Sequence, residues 1–193
     1  MNAEQIECDK RIAAAGAVAV LTARSPEDAS AAAKKLISAD ICALEIAYRG
    51  SESFDTADAC IKAVRRDVPQ MLVGAATVIN PDIARRAIKS GAQFILSPGL
   101  NPKTVRYCLR RHIPMYPGVA TPSEIERALA FGLSLLKYFP AEMLGGTKML
   151  SALAGPFPQV RFIVSGGLNA ENACEYKKCS NVAAVSGSWL SRL

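Results

Sequence analysis

The segment Leu133–Glu142 reads LSLLKYFPAE, and it decides how the rest of the chain is interpreted. It predicts a short buried strand that is apolar except for Lys137 at its centre and that ends at Pro140. A buried strand rarely carries an ammonium group, because removing that charge from water is costly unless the amine is paired or neutral. Taken alone, the lysine is more typical of a sheet edge, where it blocks aggregation.

Seven further apolar segments of strand length alternate with helical segments along the chain. They lack the polar alternation of a half-exposed sheet, which predicts buried parallel strands. Eight such units predict a (β/α)8 TIM barrel, with a leading N-terminal helix that covers the barrel bottom and a last helix that is truncated or absent. A doubly wound open sheet is the alternative, but no Rossmann glycine fingerprint follows the first strand. The predicted strands are Ala17–Ala23, Ala43–Ala47, Met71–Ala76, Phe94–Ser97, Pro114–Tyr116, Leu133–Phe139, Arg161–Val164 and Val182–Val185.

The composition is that of an ordinary globular chain. Its 193 residues predict a single domain over 1–193, and 50% of them are apolar. The net charge of +6 is scattered over predicted helix ends without a nucleic-acid motif, so we expect no nucleic-acid partner. Met1 leads into polar residues, and no apolar run reaches the roughly 18 residues of a membrane span. We therefore expect a cytoplasmic protein with no membrane partner.

The cysteines and the single histidine limit the chemistry. The six cysteines form no CxxC pair, which is typical of reduced thiols in a cytoplasmic protein. One histidine, His112, excludes most histidine-based metal sites and disfavours a Ser-His-Asp or Cys-His nucleophile. His112 also lies just before a predicted strand, at the end opposite to a barrel active site. We therefore expect no metal.

A closed barrel has no edges, so the edge interpretation of Lys137 loses its support. Because side chains alternate along a strand, Leu135, Lys137 and Phe139 are predicted to share one face, while Leu136 and Tyr138 point toward the helices. The corresponding sets on the second, third and fourth strands are Glu45, Ala47 and Arg49; Val73, Ala75 and Thr77; and Leu96 and Pro98.

Glu45 is the only acid inside a predicted strand, and Lys137 is the only lysine. Arg49 and Thr77 lie at carboxyl ends of strands, where barrel active sites are built. A lysine, a glutamate and an arginine that converge there suit carbonyl chemistry. The neutral amine attacks a ketone, the resulting iminium is an electron sink, Glu45 shuttles protons and Arg49 holds a carboxylate. The alternative is a structural Lys137–Glu45 ion pair in the barrel core.

Two glycine-bearing turns follow the last two predicted strands, Ser165-Gly166-Gly167 and Ser186-Gly187-Ser188. Barrels commonly bind phosphate at these positions, through backbone N–H groups and a helix N-terminus. Each turn alone is also ordinary turn chemistry. As a pair in an eight-unit pattern, they favour a phosphorylated substrate.

These segments resemble the 2-keto-3-deoxy-6-phosphogluconate (KDPG) aldolase and 4-hydroxy-2-oxoglutarate (KHG) aldolase family. The resemblance runs in order over nearly the whole chain. It rests on LEI at 44–46 with Arg49, GAATV at 74–78, GAQF at 91–94, SPG at 97–99, Pro114 with PG at 117–118, KYFPAE at 137–142, AGPF at 154–157, SGG at 165–167 and GSWL at 187–190.

The resemblance implies a class I aldolase, without metal or other cofactor, that cleaves KDPG to pyruvate and glyceraldehyde 3-phosphate. It makes Lys137 the Schiff-base residue and Glu45 the general acid/base. It implies that Arg49 and Thr77 bind the pyruvate carboxylate and that the family's usual homotrimer forms. It further implies a pocket lined by Pro98 and Phe139 and a distal phosphate held by Ser165, Gly166, Gly167, Gly187 and Ser188.

Four positions depart from the family pattern. Ala76 replaces the second glycine of Gly-Ala-Gly-Thr, Tyr48 is bulkier than usual, Ser165 stands where threonine is frequent, and Ser186 stands where glycine is frequent. These departures bear on substrate preference, and KHG or the galactonate-series epimer of KDPG is the alternative substrate. The alternative of another class is a non-catalytic or isomerase-type phosphate-binding barrel, which needs neither Lys137 nor Glu45.

Overall fold

The fold is a barrel of parallel strands surrounded by helices. A computed structural model describes residues 3–49 and 54–192. Residues 1–2, 50–53 and 193 of the predicted domain 1–193 lie outside the described residues, and Met1 is among them. The strands are β1 Ala17–Leu21, β2 Ala43–Ala47, β3 Leu72–Ala76, β4 Ile95–Leu96, β5 Met115–Tyr116, β6 Gly118–Val119, β7 Leu135–Tyr138, β8 Arg161–Ser165 and β9 Val182–Gly187. They pair in the order β5-β4-β3-β2-β1-β9-β8-β7-β6, always in parallel.

The strand order is circular, because β5 and β6 are consecutive pieces of one stretch. The sequence predicted a single fifth strand, Pro114–Tyr116. Instead, Met115–Tyr116 pairs with β4, whereas Gly118–Val119 pairs with β7. Pro117, which has no N–H to donate, separates the two pieces. The nine segments therefore form an eight-strand barrel, which confirms the predicted fold and excludes the open doubly wound sheet.

The helices alternate with the strands and begin at the caps that the sequence indicates. Ser25, Asn80 and Asn101 each accept a hydrogen bond from a backbone N–H of the following turn, and each is followed by proline. Thr121 and Glu124 form the predicted capping box. The helices are α1 Ala3–Ala15, α2 Pro26–Ser38, α3 Phe54–Asp67, α4 Pro81–Lys89, α5 Pro102–Leu109, α6 Pro122–Ala130, α7 Gly146–Ala154 and α8 Ala173–Lys177, with 3-10 helices at Glu142–Leu144 and Ser188–Arg192.

Helix α1 closes the amino-terminal end of the barrel. Its buried Ile12 packs among the inner side chains of the strands. Gln5 Oε1 accepts a hydrogen bond from the N–H of Met115 at 3.0 Å, and Asp9 Oδ1 accepts one from the hydroxyl of Tyr116 at 2.9 Å. The prediction that the leading helix covers the barrel bottom is therefore confirmed. Within the described residues, β9 leads into a short 3-10 helix at Ser188–Arg192.

Two apolar layers fill the molecule, one inside the barrel and one between the strands and the helices. In the inner layer, the Phe94 ring lies across Gly74, where an added Cβ would come within 2.4 Å of the ring. A side chain at position 74 would therefore displace the aromatic ring from the barrel interior. The inner layer consists of Cys8, Ile12, Val18, Ala43, Leu72, Phe94, Leu96, Tyr116, Leu135, Ile163, Ala183 and Ala184.

All six cysteines, which lie within the described residues, are free thiols. Across residues 3–49 and 54–192, none of the helices has the length and apolar character needed to span a bilayer.

Candidate active site

A cavity of about 260 Å³ opens at the carboxyl ends of the strands. Its wall brings together every residue that the sequence predicted for the site. Its charged lining residues within the described chain are two cations, Lys137 and Arg49, and one anion, Glu45, which suits an anionic substrate. The predicted residues on this wall are Glu45, Arg49, Thr77, Pro98, Lys137, Phe139, Ser165, Gly166, Gly167, Gly187 and Ser188.

Lys137 and Glu45 approach each other from opposite sides of the barrel. Lys137 lies on β7 and Glu45 on β2, and three strands separate β7 from β2 in each direction around the circle when β5 and β6 count as one. The distance from Lys137 Nζ to Glu45 Oε1 is 3.7 Å, and the two side chains are 8% and 0% exposed. The predicted alternation is confirmed, because Leu135 fills the barrel interior while Leu136 and Tyr138 pack toward the helices.

Strand β7 holds Lys137 between two neighbours. It pairs with both β6 and β8, so the edge-strand interpretation of the lysine is wrong. The backbone N–H of Lys137 donates to the carbonyl of Pro117 at 3.0 Å, and its Nζ lies 5.4 Å from the centroid of the Phe139 ring. The strand spans Leu135–Tyr138 and ends one residue before the predicted Phe139, and the Phe139–Pro140 peptide bond is cis. The amine is thus fixed on a rigid element beside an aromatic face.

Glu45 has one hydrogen-bond donor among the described residues. The hydroxyl of Ser186 donates to Glu45 Oε1 at 3.3 Å, while Oε2 is buried and has no partner in the described part of the chain. Most buried polar atoms are hydrogen-bonded, so this oxygen is an exception that no described residue fixes. Ser186 was a departure from the family pattern, but it was not among the predicted site residues. Its alternation with the buried Ala184 on β9 was the available signal.

Arg49 and Thr77 follow the neighbouring strands β2 and β3, and both line the cavity. Arg49 is exposed, whereas Thr77 adopts a left-handed backbone conformation with φ of 61°. The prediction that Thr77 shares a face with Val73 and Ala75 is wrong, because those two side chains pack toward the helices. The positive φ at Thr77 interrupts the alternation, so that Ala76 and Thr77 both reach the cavity wall.

The first glycine turn sits tightly against the segment that follows Lys137. Gly166 and Gly167 have φ of 97° and 84°. An added Cβ at Gly166 would lie 2.7 Å from Cα of Pro140, and one at Gly167 would lie 2.5 Å from Cγ of Glu142. Within the described residues, no acceptor receives the N–H of Gly166 or Gly167. The turn therefore requires glycine and presents two donors for an anion.

The second glycine segment, Ser186-Gly187-Ser188, lies largely within a strand, whereas the sequence indicated a turn. Strand β8 continues through Ser165, and β9 continues through Ser186 and Gly187, one to two residues beyond the predicted ends. An added Cβ at Gly187 would lie 1.8 Å from the Trp189 ring, so the indole packs directly over this glycine. Ser188 begins a 3-10 helix of five residues. This short helix takes the place of the helix N-terminus that the sequence indicated beside the phosphate.

Groups that bind anions, rather than metal ligands, gather in the cavity. Across the described ranges 3–49 and 54–192, no cluster of three or more His, Cys, Asp or Glu side chains is arranged to hold a metal ion. His112 is exposed and is not part of the cavity wall. The polar wall consists of an amine, a guanidinium, one carboxylate, hydroxyls and backbone N–H groups.

Comparison with known proteins gives one consistent family. The family model described as KDPG and KHG aldolase matches residues 8–193. A 2-dehydro-3-deoxy-phosphogluconate aldolase of Treponema pallidum (strain Nichols) is 44% identical over 173 residues, which cover 90% of this chain and 80% of the relative. The KHG/KDPG aldolase of Escherichia coli (strain K12) is 38% identical over 90% of this chain and 79% of the relative.

Solved structures agree with the sequence relatives. The KDPG aldolase from Legionella pneumophila, with pyruvate captured at low pH as a covalent carbinolamine intermediate, superposes with a TM-score of 0.87 and 36% identity. That similarity covers 94% of this chain and 86% of the other. The 2-keto-3-deoxy-6-phosphogluconate aldolase of Zymomonas mobilis ZM4 with 3-phosphoglycerate gives a TM-score of 0.86 and 31% identity, over 94% of this chain and 85% of the other.

Proposed function

The chain belongs to the KDPG and KHG aldolase family, and from this premise we propose that it is a Schiff-base lyase that cleaves KDPG to pyruvate and glyceraldehyde 3-phosphate. The observation that carries the proposal is the 3.7 Å approach of Lys137 Nζ to Glu45 Oε1 in a cavity suited to anions. Two charges buried for stability alone need close, hydrogen-bonded geometry to offset their desolvation. This pair lacks it, which supports a chemical role over a structural ion pair.

Lys137 supplies the nucleophile in this proposal. Its neutral amine adds to the C2 ketone of the substrate, and the carbinolamine loses water to form an iminium. The iminium then accepts the electron pair of the C3–C4 bond and becomes an enamine, while the C4 hydroxyl loses its proton and becomes the aldehyde. The Legionella pneumophila relative, solved with a covalent pyruvate carbinolamine, supports this route.

Glu45 moves the protons that the route requires. Its carboxylate takes the proton of the C4 hydroxyl during cleavage, and the resulting acid gives a proton to C3 of the enamine. Water then hydrolyses the pyruvyl iminium and returns the free amine of Lys137. The position of Glu45 supports this role, because its Oε1 faces the amine and its Oε2 is unpaired among the described residues.

The carboxylate end of the substrate binds to Arg49 and Thr77. A guanidinium pairs with a carboxylate through two parallel hydrogen bonds, and a threonine hydroxyl adds a third donor. Pro98 and Phe139 form the apolar walls beside the reacting carbons. The placement of all four side chains on the same cavity wall as Lys137 supports these roles.

The phosphate end binds to Ser165, Gly166, Gly167, Gly187 and Ser188. The N–H groups of Gly166 and Gly167, which have no acceptor among the described residues, and the serine hydroxyls supply donors without a further cation. The Zymomonas mobilis relative, solved with 3-phosphoglycerate, supports a phosphorylated ligand in this family.

KHG is the second candidate substrate, and one observation favours it. Lys137 and Arg49 are the cations on the described cavity wall, so the distal end of the substrate is bound by neutral hydrogen-bond donors. Such donors bind a carboxylate as well as a phosphate. The Escherichia coli relative carries both substrates in its name, KHG/KDPG aldolase. The galactonate-series epimer of KDPG has the same groups at both ends. A non-catalytic or isomerase-type barrel would not require the Lys137–Glu45 pair.

The remaining features of the proposal come from the sequence. We propose that residues 1–193 act as one aldolase domain in the cytoplasm. No metal or other cofactor is needed when a lysine is the covalent catalyst, so EDTA should leave the activity unchanged. The resemblance to the family also implies a homotrimer, which light scattering during gel filtration tests directly.

Trapping with borohydride tests the proposed function. Pyruvate and borohydride should add one reduced pyruvyl group, which peptide mass mapping should place on Lys137. Lys137→Met should abolish the adduct and the cleavage of KDPG, whereas Lys148→Met, which changes an exposed lysine on α7, should preserve both. An adduct on another residue, or none, would exclude the Schiff-base mechanism. Initial rates on KDPG, its galactonate-series epimer and KHG then rank the three substrates.

A further inference from the structure

We propose that Ser186 is a positioning residue that orients the Glu45 carboxylate for proton transfer, an inference that rests on the proposed function. The Ser186 hydroxyl donates to Glu45 Oε1 at 3.3 Å, and the same oxygen faces Lys137 Nζ at 3.7 Å. Of these two contacts, the hydroxyl is the closer and forms a long hydrogen bond, whereas the amine forms an ion pair. The hydroxyl therefore constrains the orientation of the carboxylate together with the amine.

The backbone of Ser186 gives this hydroxyl a defined position. Ser186 is completely buried on β9, and it is in register with Ser165 of β8 on one side and Val18 of β1 on the other. Both flanking strands hold the backbone, so the side chain has few alternative positions. Since Glu45 Oε2 is unpaired in the described chain, loss of the hydroxyl would leave the carboxylate without a hydrogen bond from any described residue.

The hydroxyl also differs from the charged groups that face Glu45. Those groups are Lys137 on β7 and Arg49 at the end of β2 itself; the residues that β1, β3, β4, β8 and β9 contribute to the described cavity wall are uncharged. In the proposed reaction the nitrogen of Lys137 becomes an iminium and then an enamine, so its charge changes. The hydroxyl of Ser186 is neutral throughout, so its contact with the carboxylate does not depend on that charge.

Deuterium exchange into the methyl group of pyruvate isolates this step. At saturating pyruvate Lys137 is held as the iminium, so the exchange rate reports proton transfer by Glu45. NMR in D2O follows the rate across pyruvate concentrations for the unaltered protein, Ser186→Ala and Ser186→Cys. The matched control is Ser30→Ala, which removes another buried serine that donates to a carboxylate, Asp67 at 2.8 Å, away from the cavity.

We expect Ser186→Ala to lower the exchange rate at saturating pyruvate by about three- to tenfold, with a smaller change in the pyruvate concentration that gives half of that rate. Ser186→Cys, which keeps only a weak donor, should change the rate in the same direction, and Ser30→Ala should not change it. An unchanged rate in both variants at position 186 would overturn the inference. The cysteine variant decides the question if the alanine variant does not fold. An unaltered protein that shows no exchange would overturn the proposed aldolase and this inference with it.

Discussion

Tyr48, which immediately precedes Arg49 in the chain, donates a hydrogen bond of 2.6 Å from its hydroxyl to Oδ1 of Asp58. Asp58 also pairs with Arg86 at 2.6 Å, and the N–H of Tyr48 donates to the carbonyl of Ala76 at 3.0 Å. Burial, and then the hydrogen bond to Asp58, raises the pKa of Tyr48 above its ordinary value, so the hydroxyl remains a donor at neutral pH. The backbone that carries Arg49 is therefore fixed both at the main chain and through the tyrosine side chain.

Tyr48→Phe should loosen the placement of Arg49. Because one hydrogen bond is lost, we expect KM for KDPG to rise about fivefold, with a smaller change in kcat, and the free energy of unfolding to fall by about 1 kcal/mol. Tyr116→Phe is the matched control, since it removes a similar tyrosine–aspartate hydrogen bond at the closed end of the barrel. Equal KM values for the two variants would show that Tyr48 has only a structural role.

Glu45→Gln should remove proton transfer while it preserves the shape of the cavity. General acid–base catalysis contributes about 10² to 10⁴-fold, so we expect a loss of that size, mainly in kcat. Steady-state cleavage of KDPG measures it, and Glu126→Gln, at an exposed position on α6, serves as the control. A loss smaller than about tenfold would assign the proton transfer to water or to another group.

Changes in the glycine turn should alter discrimination between phosphorylated and unphosphorylated substrates. Gly167→Val is incompatible with φ of 84° and with Glu142 2.5 Å from the added Cβ, and Ser188→Ala removes one donor. Each should lower the preference in kcat/KM for KDPG over its unphosphorylated analogue, by about 5- to 100-fold for a donor to a charged group.

The controls for this prediction separate binding from strain. Gly132→Val places the same strain at φ of 76°, with no neighbour within 4 Å, outside the cavity. It should leave the preference unchanged, and pyruvate trapping at Lys137 should survive in all three variants. If Gly167→Val and Ser188→Ala treat the two substrates alike, the segments are structural and KHG becomes the better candidate.

Asp9→Asn should stabilise the protein at neutral pH. Burial raises the pKa of Asp9 above its ordinary 3.8, despite hydrogen bonds from Gln5 and Tyr116. The folded state therefore binds this proton more tightly than the unfolded state, and stability falls as the pH rises through and above 3.8. Asparagine keeps the Oδ1 acceptor without the charge, so Tm at pH 7 should rise, on the order of 2 °C.

The pH dependence of this gain provides the check. The difference in Tm between Asp9→Asn and the unaltered protein should shrink as the pH falls toward 3.8 and be lost below it, because the aspartate is then protonated in both states. Glu7→Gln, at an exposed position on the same helix, should show no such gain. A constant difference in Tm at every pH would attribute the effect to something other than the charge.

The alternation of side chains was enough to predict the central pair. Leu135, Lys137 and Phe139 share a face because β7 is regular, and Glu45 follows from the same rule on β2. The same rule failed at Thr77, where a single positive φ interrupts the alternation. A conformation so uncommon for a β-branched residue leaves no mark in a pattern of apolar and polar residues.

Other features depend on contacts between distant segments, which periodicity does not encode. Pro117 divides one predicted strand because its two halves have different partners, β4 and β7. Ser186 belongs to the candidate site because β9 extends to Gly187 and brings the hydroxyl within 3.3 Å of Glu45, 141 residues earlier in the chain. Only the closed barrel brings these groups together.

The floor that helix α1 forms has a kinetic consequence. In the described part of the chain, Ile12 and the hydrogen bonds of Gln5 and Asp9 close one end of the barrel. Substrate and products therefore enter and leave through the mouth at the other end. In the proposed reaction the pyruvyl group is tethered to Lys137, deepest in the barrel, and the phosphate lies nearest the mouth. The aldehyde therefore departs first and pyruvate last. An aldehyde that rebinds before hydrolysis can react with the enamine that is still attached to Lys137. Cleavage and synthesis therefore follow the same ordered mechanism, and pyruvate is the first substrate bound in the synthetic direction.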